Sequence, residues 1–191
     1  MDAQFRSKNT NKYQGLVRPG LLLYYVPMYT KQHLIDSITN EFRIIKHLAE
    51  KIPTDTEGYK PTEGQRTTLE LLQYLSCVFV NGTHVIYEGT TDAYKTAPLS
   101  GTDTKMQNFA QKMDEELVTW KEMMNKFDDA ELAKVINIYG MGEMTKGQYL
   151  VENLLKWVAA YKTQLFLYIK SSGNTSLGTS NLWGGMDMPI K

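Results

Sequence analysis

Apolar residues return along this chain every three or four positions, in four long stretches separated by glycine- and proline-bearing segments. From about Tyr29 to Lys51, the residues Leu34, Ile38, Phe42, Ile45 and Leu48 fall on one helical stripe, and Pro53 stops it. The segment from Pro53 to Arg66 carries Gly58, Pro61 and Gly64 and reads as a loop. Thr67, with Glu70 three residues on, forms a capping box for a second helix. Its face is Leu71, Leu72, Leu75, Val78, Phe79 and Ile86, up to about Tyr87. Gly82 weakens that helix by about 1 kcal/mol relative to alanine. Thr104 with Gln107 offers a box for a third helix, striped by Met106, Phe109, Met113, Leu117, Trp120, Met124 and Phe127. Asp128 with Glu131 predicts a short helical piece from Asp129 to about Ile138, ended by Gly140 and Gly142. Thr145 and Gln148 cap the last helix, which buries Val151, Leu154, Leu155, Val158, Leu165, Tyr168 and Ile169 and stops at Gly173.

Four amphipathic helices with no convincing strand alternation and no repeat predict an all-α fold, an antiparallel four-helix bundle. The connection from Gly89 to Thr102 is long enough to cross over that bundle. The expected organisation is an N-terminal extension, partly flexible, over 1–28, the bundle over 29–185, and a C-terminal tail over 186–191. Within the extension, Leu21 to Met28 follows Arg6, Lys8, Lys12 and Arg18, the charge order of a signal peptide. The stretch is short, broken by Pro27 and without an Ala-x-Ala site, so it reads as a segment that packs on the domain or on a second subunit. No run is long enough to span a bilayer.

Composition narrows the chemistry. The 191 residues suit one domain, and 21 basic residues balance 21 acidic ones. Nucleic acid is bound mainly through positive charge, so it is not an expected partner, and neither is a membrane. Zero net charge gives little colloidal repulsion and somewhat favours self-association. The lone Cys77 fits a reducing, cytoplasmic setting. It stands in an apolar run with no neighbouring cation and reads as a small buried hydrophobe rather than a nucleophile. Asp114, Glu115 and Glu116 read as spread over the solvated surface of the third helix.

Several short motifs resemble the DinB superfamily. They are the Ile-Pro at the end of the first helix, Tyr59-Lys60-Pro61, and the run from Gln65 to Leu72. In the last helix, Tyr161-Lys162-Thr163-Gln164-Leu165 and then Leu167-Tyr168-Ile169-Lys170 are similar to that family's His-Arg-Gly-Gln-Leu and following Tyr-Leu-Arg. Leu182-Trp183-Gly184 completes the likeness, which spans about Tyr29 to Gly185. The resemblance implies up-down-down-up topology with a long crossover, and often a dimer. Members with the full metal site include thiol-dependent S-transferases.

The family's metal is held by one histidine on the second helix and two, four residues apart, on the last. The corresponding positions here are Tyr74, Trp157 and Tyr161. Tyrosine rarely ligates divalent metals and tryptophan does not. The three histidines of the chain do not rebuild the site. His33 and His47 are about 21 Å apart along one helix, and His84 is turned about 280° from Tyr74. His47 reads as a solvated histidine at a helix end. Tyr74, Trp157 and Tyr161 then have two readings: an apolar pocket with hydroxyl handles, or aromatic filling of space that metal and water once needed. The expectation is a protein without a cofactor and without metal-dependent catalysis, acting on a small apolar ligand or a protein partner. The alternative is a transferase or hydrolase using the same pocket, with Tyr74 or Tyr161 as proton donor.

Overall fold

The structure, a computed structural model, describes residues 29–188. The extension over 1–28 therefore lies outside the described residues. Helix α1 runs Lys31–Ala49. The Thr30 hydroxyl accepts the His33 N–H at 3.2 Å, and the His33 ring accepts the Thr30 N–H at 3.3 Å, so His33 is a capping residue. The expected stripe of Leu34, Ile38, Phe42, Ile45 and Leu48 is buried.

The second helical rod is not continuous. It consists of α2, Thr68–Leu75, and α3, Val78–Glu88, with a break at Ser76 and Cys77. Gly82 is not the cause, since it sits inside α3. The break lies where the following connection presses in. A Cβ on Gly101 would stand 1.9 Å from the Gln73 carbonyl oxygen, so only glycine allows this approach. The Ser76 hydroxyl donates to the Gln73 carbonyl at 3.0 Å and pairs with the Thr104 hydroxyl at 2.7 Å. Asn81 fastens the same connection through both polar atoms, donating to the Leu99 carbonyl and accepting its N–H. The predicted Thr104–Gln107 capping box does not form, because Thr104 is turned to Ser76. Helix α4 begins later and runs Phe109–Met124.

After α4 comes a single turn, α5, Asp129–Leu132, with Asp128 as its cap. It is shorter than the sequence predicts. Residues Val135–Ile136 (β1) instead pair antiparallel with Met144–Thr145 (β2), a small ribbon that period-two patterning is too short to announce. The last rod starts with the expected Thr145–Gln148 box and contains α6, Lys146–Tyr149, a π-helical segment, Leu150–Leu155, and α7, Lys156–Ser171. A π turn at Ser180–Gly184 follows.

Helix α1 packs on α4 and α7, α3 packs on α4, and α2 packs on α7. The order of rods around the core is thus first, third, second, fourth. The long connection of residues 89–108 joins neighbouring rods. The connections of residues 50–67 and 125–145 join diagonal ones, so the crossing falls there rather than at the connection singled out by its length. Among the described residues, no helix is long and apolar enough to cross a membrane.

Candidate functional site

Tyr74 on α2 and Tyr161 on α7 meet with ring centroids 4.8 Å apart, tilted by 60°. One turn earlier on the last rod, Trp157 leans across α3, where a Cβ on Gly82 would stand 3.4 Å from its ring. That distance is ordinary van der Waals contact, so the indole packs directly on the α3 backbone at this glycine. Trp157 also meets the edge of Tyr139 at 5.4 Å, and the Tyr139 hydroxyl bonds that of Tyr94 at 2.9 Å. Five aromatic residues therefore form one cluster at this end of the fold. Tyr74, Tyr139, Trp157 and Tyr161 are half-buried, and Tyr94 is 43% exposed. The guanidinium of Arg66 lies 4.3 Å above the Tyr74 ring.

Tyr139 is held there at a conformational cost. Its φ is +58°, the left-handed region that a bulky residue rarely enters. It stands in the turn between β1 and β2, followed by Gly140 and Gly142 at φ +69° and +86°. The buried Tyr149 secures that turn. Its hydroxyl accepts the Ile138 N–H at 3.0 Å and lies 2.8 Å from the carbonyls of both Ile138 and Gly142, which share its one proton. The last rod thus presents Trp157 and, through Tyr149, also fixes the loop that lays Tyr139 against it.

The phenols are shifted in the same direction. Burial, then the neighbouring Tyr161 hydroxyl, pushes Tyr74 well above the ordinary tyrosine value. Burial, then Tyr94, does the same to Tyr139. Both rings stay neutral across the physiological range. Tyrosine ligates metal as a phenolate, which burial keeps Tyr74 from forming, and tryptophan is not a ligand, so Tyr74 and Trp157 do not fit the metal that the resemblance implies. Among the described residues, no group of three His, Cys, Asp or Glu side chains comes together at one point. His84 bonds the Thr96 hydroxyl at 3.3 Å. His47 is not solvated as expected. Its ring is 3.1 Å from the Asn181 amide, beneath the C-terminal turn.

Among the buried charged residues, Glu116 and Lys162 were not anticipated. Glu116 is fully buried, not on the surface of α4. Its carboxylate accepts the N–H groups of Phe79 at 2.8 Å and Val80 at 3.3 Å, capping the new helix start that the break before α3 creates. Burial raises its pKa well above the carboxylate range, opposed by those two N–H groups. Burial, helped by Glu116, pushes the Cys77 thiol up to about 11, so it stays protonated and unreactive at neutral pH. Lys162 is 1% exposed, and its ammonium lies 2.7 Å from Glu41, too bent an approach for a hydrogen bond. The Trp183 ring, 69% exposed, lies 5.1 Å from that ammonium. Both buried charges had a signal: Met113, Glu116, Trp120 and Val158, Lys162, Leu165 keep the spacing of their helices' apolar stripes.

No family model matches the chain. The uncharacterised protein YjoA of Bacillus subtilis is 23% identical over 151 residues, which is 78% of this chain and 96% of the relative. The crystal structure of that DinB-like protein superposes with a TM-score of 0.60, covering 76% of this chain and 95% of the other. The chain has a DinB-like fold. A DinB family member from Shewanella denitrificans, 15% identical, superposes with a TM-score of 0.56 over 84% of this chain and 96% of its own.

Proposed function

We propose that this DinB-like chain is a binding protein that works without a metal, on a four-helix scaffold whose metal-ligand positions have become an aromatic binding patch. The patch takes a small, flat, largely apolar ligand against Tyr74, Tyr94, Tyr139, Trp157 and Tyr161. The observation that carries this reading is Tyr139. Core filling alone does not require a tyrosine held at positive φ by a dedicated buried hydroxyl, with its ring on a half-buried tryptophan. Flat faces and hydroxyl edges are what such a ligand needs. The same reading includes a homodimer in a reducing, cytoplasmic setting, supported by the balanced charge and the single thiol. The enzyme alternative gains no support from the phenols, since a Tyr74 pushed above its ordinary value is a poorer proton donor at neutral pH.

Titration with benzamide, a neutral flat probe, followed by two-dimensional NMR tests this. Saturable shifts are expected at the Trp157 indole and around Tyr139. Tyr139→Ala should weaken binding about tenfold, near the upper end of the energy of an aromatic pair. No saturable shift, or shifts centred away from the cluster, would remove the reading.

A further inference from the structure

Arg66 gives the patch a charge preference. Its guanidinium rests on the face of Tyr74, 4.3 Å from the ring centre, and Arg66 itself is exposed. Among the described residues its side chain enters no ion pair and no hydrogen bond; only its backbone carbonyl is used, accepting from Tyr168 at 3.0 Å. Glu70 is the acid it influences, and Glu70 is committed elsewhere. Its carboxylate accepts the Thr67 N–H at 2.7 Å as the cap of α2. A guanidinium held over a ring face keeps N–H donors free at its outer edge, where a carboxylate can meet two of them at once.

The rest of the cluster suits the same partner. In the Tyr94–Tyr139 pair one hydroxyl donates to the other, which leaves the acceptor's own proton free to point outward. Building on the ligand-binding reading above, we propose that the patch selects small aromatic carboxylates. The ring of the ligand stacks on the tyrosines while its carboxylate pairs with the Arg66 guanidinium.

The test compares benzoate with benzamide, two probes of the same shape that differ in charge, on wild-type protein and on Arg66→Gln by calorimetry at low salt. Benzoate should bind wild type about fivefold more tightly, a difference of about 1 kcal/mol, the size of one exposed ion pair. The preference should shrink as salt is raised and disappear in Arg66→Gln, with benzamide changing less than about twofold. Arg66→Lys, which keeps the charge without the fork, should retain part of it. Equal binding of the two probes by wild type, or a benzoate preference that survives Arg66→Gln, overturns the charge assignment and leaves the aromatic patch standing. Binding of neither probe overturns both.

Discussion

A carboxylate with no solvent contact needs a local reason to be tolerated, and Glu116 has one in the unpaired N–H groups at the start of α3. The arrangement is an N-cap delivered from another helix, because Cys77 at the cap position makes no side-chain bond of its own. One of its oxygens is left without a partner, which is why burial outweighs the two N–H groups and the pKa rises. The sign follows directly. A folded-state pKa above the unfolded value adds stability that is complete below about pH 4.5 and is lost as pH climbs through the raised value. Glu116→Gln keeps the acceptor oxygen and cannot ionise. In urea melts, its stability relative to wild type should rise as pH climbs above about 4.5, until the raised value is passed. A difference that is flat across this range would show that Glu116 does not titrate with a raised pKa. Glu116 stands in register with Met113 and Trp120, so its burial was legible as a polar residue inside an apolar stripe. Its partners were not, because they lie at a helix break that the sequence does not announce.

At the scale of elements, the apolar stripes, two capping boxes (Thr67–Glu70 and Thr145–Gln148) and the Asp128 cap were readable, since local spacing and local hydrogen bonds decide them. In the Asp128 case the cap was right and the length was not. The errors share a different origin. The second rod breaks because Gly101, far along the chain, lies against the Gln73 carbonyl, and Thr104 gives up its cap for Ser76 in the same contact. Such tertiary contacts leave no period in either segment. Gly101→Ala puts a methyl carbon into that carbonyl, so the connection must move away. A loss of at least about 2 kcal/mol in denaturant unfolding is expected, above the range of ordinary surface changes. A loss under about 0.5 kcal/mol would mean that the connection is not wedged against α2. The half of the aromatic cluster on helices, Tyr74, Trp157 and Tyr161, could be placed from the family resemblance. Tyr94 and Tyr139 come from a 3₁₀ turn and a ribbon turn, where no periodicity marks them. The one hint was the Gly-Met-Gly that follows Tyr139, a sequence suited to consecutive left-handed residues.

For the whole molecule, the fold and the chemistry separate. The DinB-like arrangement is retained across helical rods that share only 23% and 15% identity with the two solved relatives. Around Tyr74, Trp157 and Tyr161 the side chains pack ring against ring, and Trp157 meets Tyr139 on its strained turn. A shared fold does not carry function with it, because function resides in the site rather than in the fold. The most direct measurement is metal analysis of the wild-type protein and of a Tyr74→His, Trp157→His, Tyr161→His variant, each exposed to zinc and nickel and then desalted. The account predicts no stoichiometric metal in wild type and about one ion per chain in the triple variant, whose donors match a three-histidine site. One tightly held ion per chain in wild type, released when Tyr74 and Tyr161 are changed to phenylalanine, would contradict it.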